Sequence, residues 1–277
     1  MYGLTLEEIS VLCEMHELEA GIDLYRHLPI ELHQRFRAEV RRFGSCAVLM
    51  THGLNLLPLN RVVGLGIGAP ATEALLDNTI ACFAAAGLTD FSAQISPSAE
   101  PVQLRSWLLA RGFEQGLGTP KFVRGNEAVA DLSAGIRVEQ IGAECVLQFA
   151  EIFGTAFGLS PNIWPLFTGA IGKPGWYHYL GFDGAQPIAT GAMYLKNDIA
   201  WLGVGSTHKD YRNRGGQSAM ITRRLTDGLA LGCKWFITET GKDTSEQPNP
   251  SYRNMIRAGF KVAYIRDNYL HQTLEHE

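Results

Sequence analysis

Apolar positions along this chain recur with two alternating periods, close to four residues and close to two. A Thr-x-x-Glu capping box at Thr5 and Glu8 opens a first helix, with Leu4 placed to staple onto Ile9, and the pattern carries it to about Glu19. A second helix is predicted over 29–42. Two apolar runs, 44–51 and 56–66, predict strands. Over 72–86, Leu76, Ile80 and Phe83 share one helical face, and Gly87 supplies the stop. A strand at 91–96, a helix at 101–110 closed by Arg111-Gly112-Phe113, and a strand at 119–124 follow. The stretch GNEAVADLSAG, 125–135, is small and polar, and it divides the chain into units at 1–125 and 136–277.

The second unit begins with a strand at 136–141 and a helix bearing Val146, Phe149, Phe153 and Ala156 on its apolar face. A short helix is predicted at 162–171. Strands at 176–182 and 187–195 meet through Asp183-Gly184, a hairpin signal, and a third strand covers 199–206. Over 215–231, Ile221, Leu225 and Leu229 stack four apart, with Gly232 as the stop. A strand at 234–240, a helix at 250–258 ending in Gly259-Phe260, and a strand at 261–268 complete the chain.

The two halves repeat. Gly87-Leu-Thr-Asp-Phe91 matches Gly232-Cys-Lys-Trp-Phe236, and Trp107-Leu-Leu-Ala-Arg-Gly-Phe113 matches Asn254-Met-Ile-Arg-Ala-Gly-Phe260. The glycines are 25 residues apart in the first copy and 27 in the second, so one strand–helix unit occurs twice.

Composition narrows the function. The 277 residues are 46% hydrophobic and 19% charged, an ordinary globular balance that excludes fibres and disorder. Lys and Arg number 24 against 28 Asp and Glu, net −4, without a basic run, which argues against nucleic acid as a partner. The apolar stretches fall short of the ~20 residues that span a bilayer, so no membrane partner and a cytoplasmic location are expected. The five cysteines are scattered in apolar runs, as buried thiols of a reducing compartment would be, and no metal-ligand spacing occurs.

The chemistry concentrates in Val204-Gly-Ser-Thr-His-Lys-Asp-Tyr-Arg-Asn-Arg-Gly-Gly-Gln-Ser218. A strand ends, a polar turn with Arg212, Arg214, Gly215 and Gly216 follows, and a helix begins. The first turn of a helix leaves N–H groups unpaired beneath the positive end of the macrodipole, and two arginines add charge-assisted bonds to the same anion. The reading is a phosphate loop, distinct from a P-loop because no GxxxxGK[ST] occurs.

These residues resemble the phosphate loop of the GNAT superfamily of acyl-CoA-dependent N-acyltransferases, Gln/Arg-x-x-Gly-x-Gly/Ala. Arg212 and Gly215 fit, and Gln217 departs from the pattern. Asn249-Pro-Ser-Tyr-Arg-Asn-Met-Ile-Arg-Ala-Gly-Phe260 is similar to the family's second motif, and the Gly-Phe repeat makes residues 1–125 a degenerate GNAT-like unit. The resemblance implies an α/β fold of two mixed-sheet units, with helices on both faces of a central antiparallel and parallel sheet. It implies acetyl-CoA as co-substrate, held by Val204, Gly205, Ser206, Arg212, Arg214, Gly215, Gly216, Gln217, Ser218 and Asn249, with a backbone N–H near 204–206 polarising the thioester carbonyl. The acceptor is a primary amine of a small molecule or peptide, and a homodimer is the candidate assembly. Many members carry a Tyr where Met255 stands here; Tyr252, one turn earlier, is the candidate acid, Glu239 the candidate base, and His208 the alternative base. Trp164, Phe167, Trp176 and Tyr179 lie where such folds wall the acceptor pocket. A non-catalytic acyl-CoA-binding or sensing module is the alternative reading.

Gly64-Leu-Gly66-Ile-Gly68-Ala69 formally fits a dinucleotide fingerprint, which would make the chain a nicotinamide-dependent oxidoreductase. That reading needs an acidic residue at the end of the next strand, and Asp90 stands before it. In the repeat this loop occupies the place of the Arg212–Gln217 loop but carries no arginine, which points to a lost cofactor site.

Overall fold

The computed structural model describes residues 3–133 and 135–272. In chain order the elements are α1 (Leu6–Arg26), α2 (Ile30–Phe36), β1 (Glu39–Phe43), β2 (Cys46–Met50), β3 (Arg61–Val63), α3 (Glu73–Ala85), β4 (Phe91–Ile95), α4 (Leu104–Ala110), β5 (Glu114–Gln115) and β6 (Thr119–Arg124). They continue with β7 (Arg137–Ile141), α5 (Val146–Ala156), β8 (Trp176–Asp183), β9 (Gln186–Lys196), β10 (Ile199–Thr207), α6 (Gly216–Ala230), β11 (Trp235–Glu239), α7 (Pro250–Arg257) and β12 (Lys261–His271). The stretch expected as a helix over 162–171 is a 3-10 helix, Pro161–Phe167.

Two compact units result. Residues 3–26, 30–121 and 263–272 form the first, and 27–29 with 122–262 form the second. This differs from units at 1–125 and 136–277 in two strands. The last residues of β6, from Phe122, group with the second unit, and β12 from Ala263 onward groups with the first. Residues 273–277 lie outside the described residues.

In the first unit the strand order is β1-β2-β3-β4-β12. The β1/β2 and β2/β3 pairs are antiparallel and β3/β4 is parallel. Strand β12 runs antiparallel to β4, from Asp267 opposite Ile95 to His271 opposite Phe91. Helix α1 starts on its capping box: the Thr5 N–H donates to Glu8 Oε2 at 2.7 Å and the Glu8 N–H donates to Thr5 Oγ1 at 3.2 Å. It continues past Glu19 to Arg26, and Gly21 lies against the sheet, where a Cβ would stand 3.4 Å from Leu49. The helix expected over 29–42 stops at Phe36. Arg37 has φ +40, and Glu39–Phe43 pairs with β2 as an edge strand whose Arg41 and Arg42 face solvent. Charges on an edge strand protect it from unwanted pairing, and along the sequence they read as a helix's polar face. Phe83 stacks on Phe91 at 4.1 Å in the core, with Leu104 and Phe113 around them.

One face of α1 is charged and buried. Glu14 and Glu17 are 1% and 2% exposed and meet Arg266 and Lys121, both at 0%. Arg266 donates to Glu14 Oε2 at 3.3 Å and to Glu17 Oε2 at 3.1 Å, Lys121 donates to Glu17, Arg61 donates to Glu17 Oε1 at 3.3 Å, and the Tyr264 hydroxyl donates to Glu14 at 2.6 Å. Burial alone would raise the Glu17 carboxyl. Arg266, Lys121 and Arg61 outweigh it and hold the group well below the usual carboxylate range.

The second unit repeats the pattern. Strands β7 to β10 form an antiparallel meander, and β10 pairs in parallel with β11. Asp183 pairs with Gln186 across the Asp183-Gly184 turn, with Gly184 at φ +61. Helix α5 covers one face, where Phe149 meets His178. Helix α6 covers the other, where a Cβ on Gly191 would lie 2.6 Å from Met220. Four of the five cysteines are buried, and all five are free. Among the described residues no helix is long and apolar enough to cross a membrane, and no cluster of side chains could hold a metal.

Candidate functional site

Strands β10 and β11 begin in register and then part. Their pairing runs from Ile199 opposite Trp235 to Trp201 opposite Ile237 and stops there. At the fork the Thr238 hydroxyl donates to the Leu202 carbonyl at 2.7 Å. Beyond it, the edge of β10 that faced β11 has no strand partner among the described residues, so its N–H and C=O groups are open to an extended ligand.

On its other edge β10 carries a bulge. Gly203 pairs with Ala192 and Ser206 with Thr190, so Val204 and Gly205 together stand opposite Gly191 and β10 holds one extra residue in the ladder. Val204 has φ +49, a left-handed conformation that a β-branched residue adopts only under constraint. The Thr190 hydroxyl lies 3.1 Å from the Val204 carbonyl, to which it donates, and 2.8 Å from Ser206 Oγ. From below, the Arg224 guanidinium donates to the Ala192 and Gly203 carbonyls at 3.0 and 3.3 Å.

After β10 the chain turns through Asn213 at φ +64 and Gly215 at φ +86 into α6. The first intrahelical bond there runs from the Ala219 N–H to Gly215 at 2.9 Å, leaving the N–H groups of Gly216, Gln217 and Ser218 ahead of it. These three residues line a cavity of about 990 Å3 together with Gly205, Ser206, Thr207, Arg212, Asn249 and Arg257. That is the size of a cofactor site. Donor N–H groups and two arginines suit an anion, and Asp131 is the single acidic residue among the lining groups.

Of the residues singled out in the sequence, Gly205, Ser206, Arg212, Gly215, Gly216, Gln217, Ser218 and Asn249 meet on this cavity. Gln217 does not block it, because its side chain clasps α7: it donates to Ser251 Oγ and accepts from Asn254 Nδ2 at 2.5 Å. Asn249 caps α7, accepting from the Ser251 N–H at 2.9 Å. Val204 forms the bulge beside the cavity. Arg214 turns away, bonded to Asp183 at 3.0 Å and lying over the Tyr211 ring. Tyr252 is not among the lining residues either: its ring meets Phe122 edge-on at 5.1 Å. Glu239 ends β11 half-buried, and His208 accepts from the Asp210 N–H at 3.4 Å. Tyr179 points to the α6 face of the sheet, under Arg223, whereas Trp176 shares the α5 side with His178. Arg257 escaped the sequence reading, since an arginine in the last turn of a helix is ordinary; only its place on the same cavity as Arg212 marks it.

The corresponding loop of the first unit is closed by its own chain. The Gly66 carbonyl accepts from the Glu100 N–H at 2.9 Å, and the Glu100 carbonyl accepts from Ala71 at 2.7 Å. A Cβ on Gly66 would lie 2.5 Å from the Glu100 oxygen. The glycines there admit a polypeptide rather than a dinucleotide.

No family model matches the sequence, and no curated protein sequence matches it. Solved structures do match the fold. A GCN5-related N-acetyltransferase from Kribbella flavida is 18% identical with a TM-score of 0.63, covering 89% of this chain and 93% of its own. A tandem GNAT protein from the clavulanic acid biosynthesis pathway is 16% identical with a TM-score of 0.56, over 83% and 80%. A GCN5-related N-acetyltransferase from Sphaerobacter thermophilus is 14% identical with a TM-score of 0.57, over 81% and 79%. Two mixed-sheet units, a forked parallel strand pair and a glycine-led helix start in the second unit therefore give this chain the fold of the GCN5-related N-acetyltransferases.

Proposed function

We propose that the chain is an N-acetyltransferase that moves an acetyl group from acetyl-CoA to a primary amine of a small molecule or peptide. The observation that carries this reading is the fork between β10 and β11, which opens beside the cavity at the start of α6. In this reading Arg212, Arg257 and the N–H groups of Gly216, Gln217 and Ser218 hold the pyrophosphate, and the unpaired edge of β10 binds the pantetheine arm as an added strand. A backbone N–H of the bulge polarises the thioester carbonyl. The amine nitrogen attacks the carbonyl carbon, the C–S bond breaks, and the thiolate leaves. Glu239 is the candidate sink for the ammonium proton. Tyr252 packs on Phe122, and water then protonates the thiolate.

Titration calorimetry with acetyl-CoA, followed by a thiol-release assay over a panel of amines, tests the proposal. Saturable binding with release of free thiol on at least one amine supports it, and absence of acetyl-CoA binding overturns it. A second reading, a non-catalytic acyl-CoA-binding module, is favoured by Met255 at the position where the family carries its acid. Binding without thiol release on any amine would select it.

A further inference from the structure

Arg224 is a charged residue on the buried face of α6, beside Met220, Ile221 and Leu225, and it is 2% exposed. It lies under the sheet where β9 and β10 make their last regular pair before the bulge, Ala192 opposite Gly203. Its guanidinium donates to both of those carbonyls and, through Nε, to the Met220 carbonyl at 3.1 Å. A Cβ on Gly191 would sit 3.1 Å from the centre of the guanidinium, and one on Gly205 would sit 3.9 Å from Nη2. The glycine at 191 thus lets the group approach the backbone, while the space at Gly205 is not tight. Among the described residues no carboxylate pairs with Arg224, so carbonyl oxygens are what hold this charge. Burial pushes its pKa down to about 10, still far above neutrality.

The position has a consequence for the bulge. In a trans peptide the C=O and the following N–H point in opposite directions. A guanidinium holding the Gly203 oxygen from below therefore aims the Val204 N–H the other way, and it polarises that same peptide unit. Val204 pays for this with its left-handed φ of +49.

We propose that Arg224 is the positioning residue of the bulge: by gripping the Ala192 and Gly203 carbonyls it fixes the Val204 peptide as a preformed donor to the thioester carbonyl and sets a buried positive charge behind it. This rests on the acetyl-CoA reading of the site. It adds a side chain that touches no substrate and acts through the backbone.

The test compares the wild type with Arg224→Met, which keeps an unbranched apolar stem and removes the guanidinium, and Arg224→Lys, which restores a cation able to reach one carbonyl. Isotope-edited infrared spectroscopy of bound acetyl-CoA, labelled at the carbonyl carbon, reads the polarisation without needing turnover. The expected results are a carbonyl stretch shifted to lower frequency in the wild type, loss of most of that shift in Arg224→Met, and partial recovery in Arg224→Lys. With an accepted amine, kcat should fall at least about tenfold in Arg224→Met while the dissociation constant of acetyl-CoA stays within about twofold, since removing an oxyanion donor outright costs about 10²–10³ in kcat. If Arg224→Met fails to fold, Arg224→Lys carries the test, with an intermediate shift and an intermediate kcat. A folded variant with wild-type carbonyl frequency and kcat overturns the proposal, as does a parallel loss of affinity and melting temperature with kcat unchanged. If the wild type itself does not bind acetyl-CoA, the functional reading falls first. A wild type that binds and polarises the carbonyl, beside variants that do the same, sinks the role of Arg224 alone.

Discussion

Replacing His178 by Phe should remove a distinct acid-sensitive component from the stability of the second unit. The imidazole is 1% exposed on β8, against Phe149 and Trp176, and among the described residues neither ring nitrogen has a hydrogen-bond partner. Burial pushes its pKa down to about 4, against about 6.5 in an unfolded chain. Between those values the unfolded chain takes up a proton that the folded ring refuses. Stability is therefore whole above about pH 6.5 and is lost as the pH falls toward 4. Moving from pH 7 to pH 5 crosses roughly 1.5 pH units of that window, and at about 1.4 kcal/mol per unit the loss is about 2 kcal/mol. Urea unfolding at the two pH values, followed by tryptophan fluorescence, reads it, because Trp164, Trp176, Trp201 and Trp235 all lie in the second unit. The wild type should lose about 2 kcal/mol more than His178→Phe between pH 7 and pH 5. Any overpacking by the larger ring, about 1–3 kcal/mol, is the same at both pH values and cancels. Carboxylates held low, such as Glu17, act below about pH 4.5 and are common to both proteins. Equal losses in the two proteins would refute the reasoning.

Arg212→Ala and Arg257→Ala should each weaken acetyl-CoA binding about tenfold by calorimetry, the worth of one charge-assisted bond. Arg214→Ala should leave the affinity within about twofold, since Arg214 is committed to Asp183. Gly66→Ala should cost about 2–4 kcal/mol in denaturant unfolding, because a Cβ there meets the Glu100 oxygen at φ +75; a melting temperature equal to the wild type would contradict the close approach. Glu17→Gln should cost about 3–5 kcal/mol by leaving Lys121 and Arg266 short of negative charge, and it should flatten the stability loss below pH 4.5 that the wild type shows as Glu17 protonates.

Much of this was legible in the sequence where a local rule and the tertiary environment agree. The capping box at Thr5 and Glu8, the turn at Asp183-Gly184 and the glycine stops after α3 and α6 are set by neighbouring residues and form as read. The Arg212–Ser218 loop was legible because unpaired N–H groups, glycines and an arginine meet within a few residues. The rest depended on contacts distant in sequence. Strand β1 carries charges on a sheet edge, and those charges look helical until β2 is known to pair with it. Arg224 sits one position before Leu225 on a helix whose apolar stripe is plain, and it is Gly191 of β9 that makes room for it beneath the sheet. Tyr252 shares a predicted face with Met255, but Phe122, 130 residues earlier, takes its ring. The left-handed turn at Val204 runs against the preference of its own side chain, so nothing local announces it.

The trade of strands between the two units bears on how such a chain can change over evolutionary time. The first unit uses residues 263–272, which come last in the described chain, and the second takes in Phe122–Arg124 from the end of the first half. A duplicated gene would ordinarily leave two modules, either of which could be lost or replaced by recombination. Here a single cut within 125–135 yields one piece without the strand that borders β4 and another carrying that strand with nowhere to place it. The closed loop at Gly66 can therefore persist, because deleting the half that holds it would also take Phe122–Arg124 from the second unit.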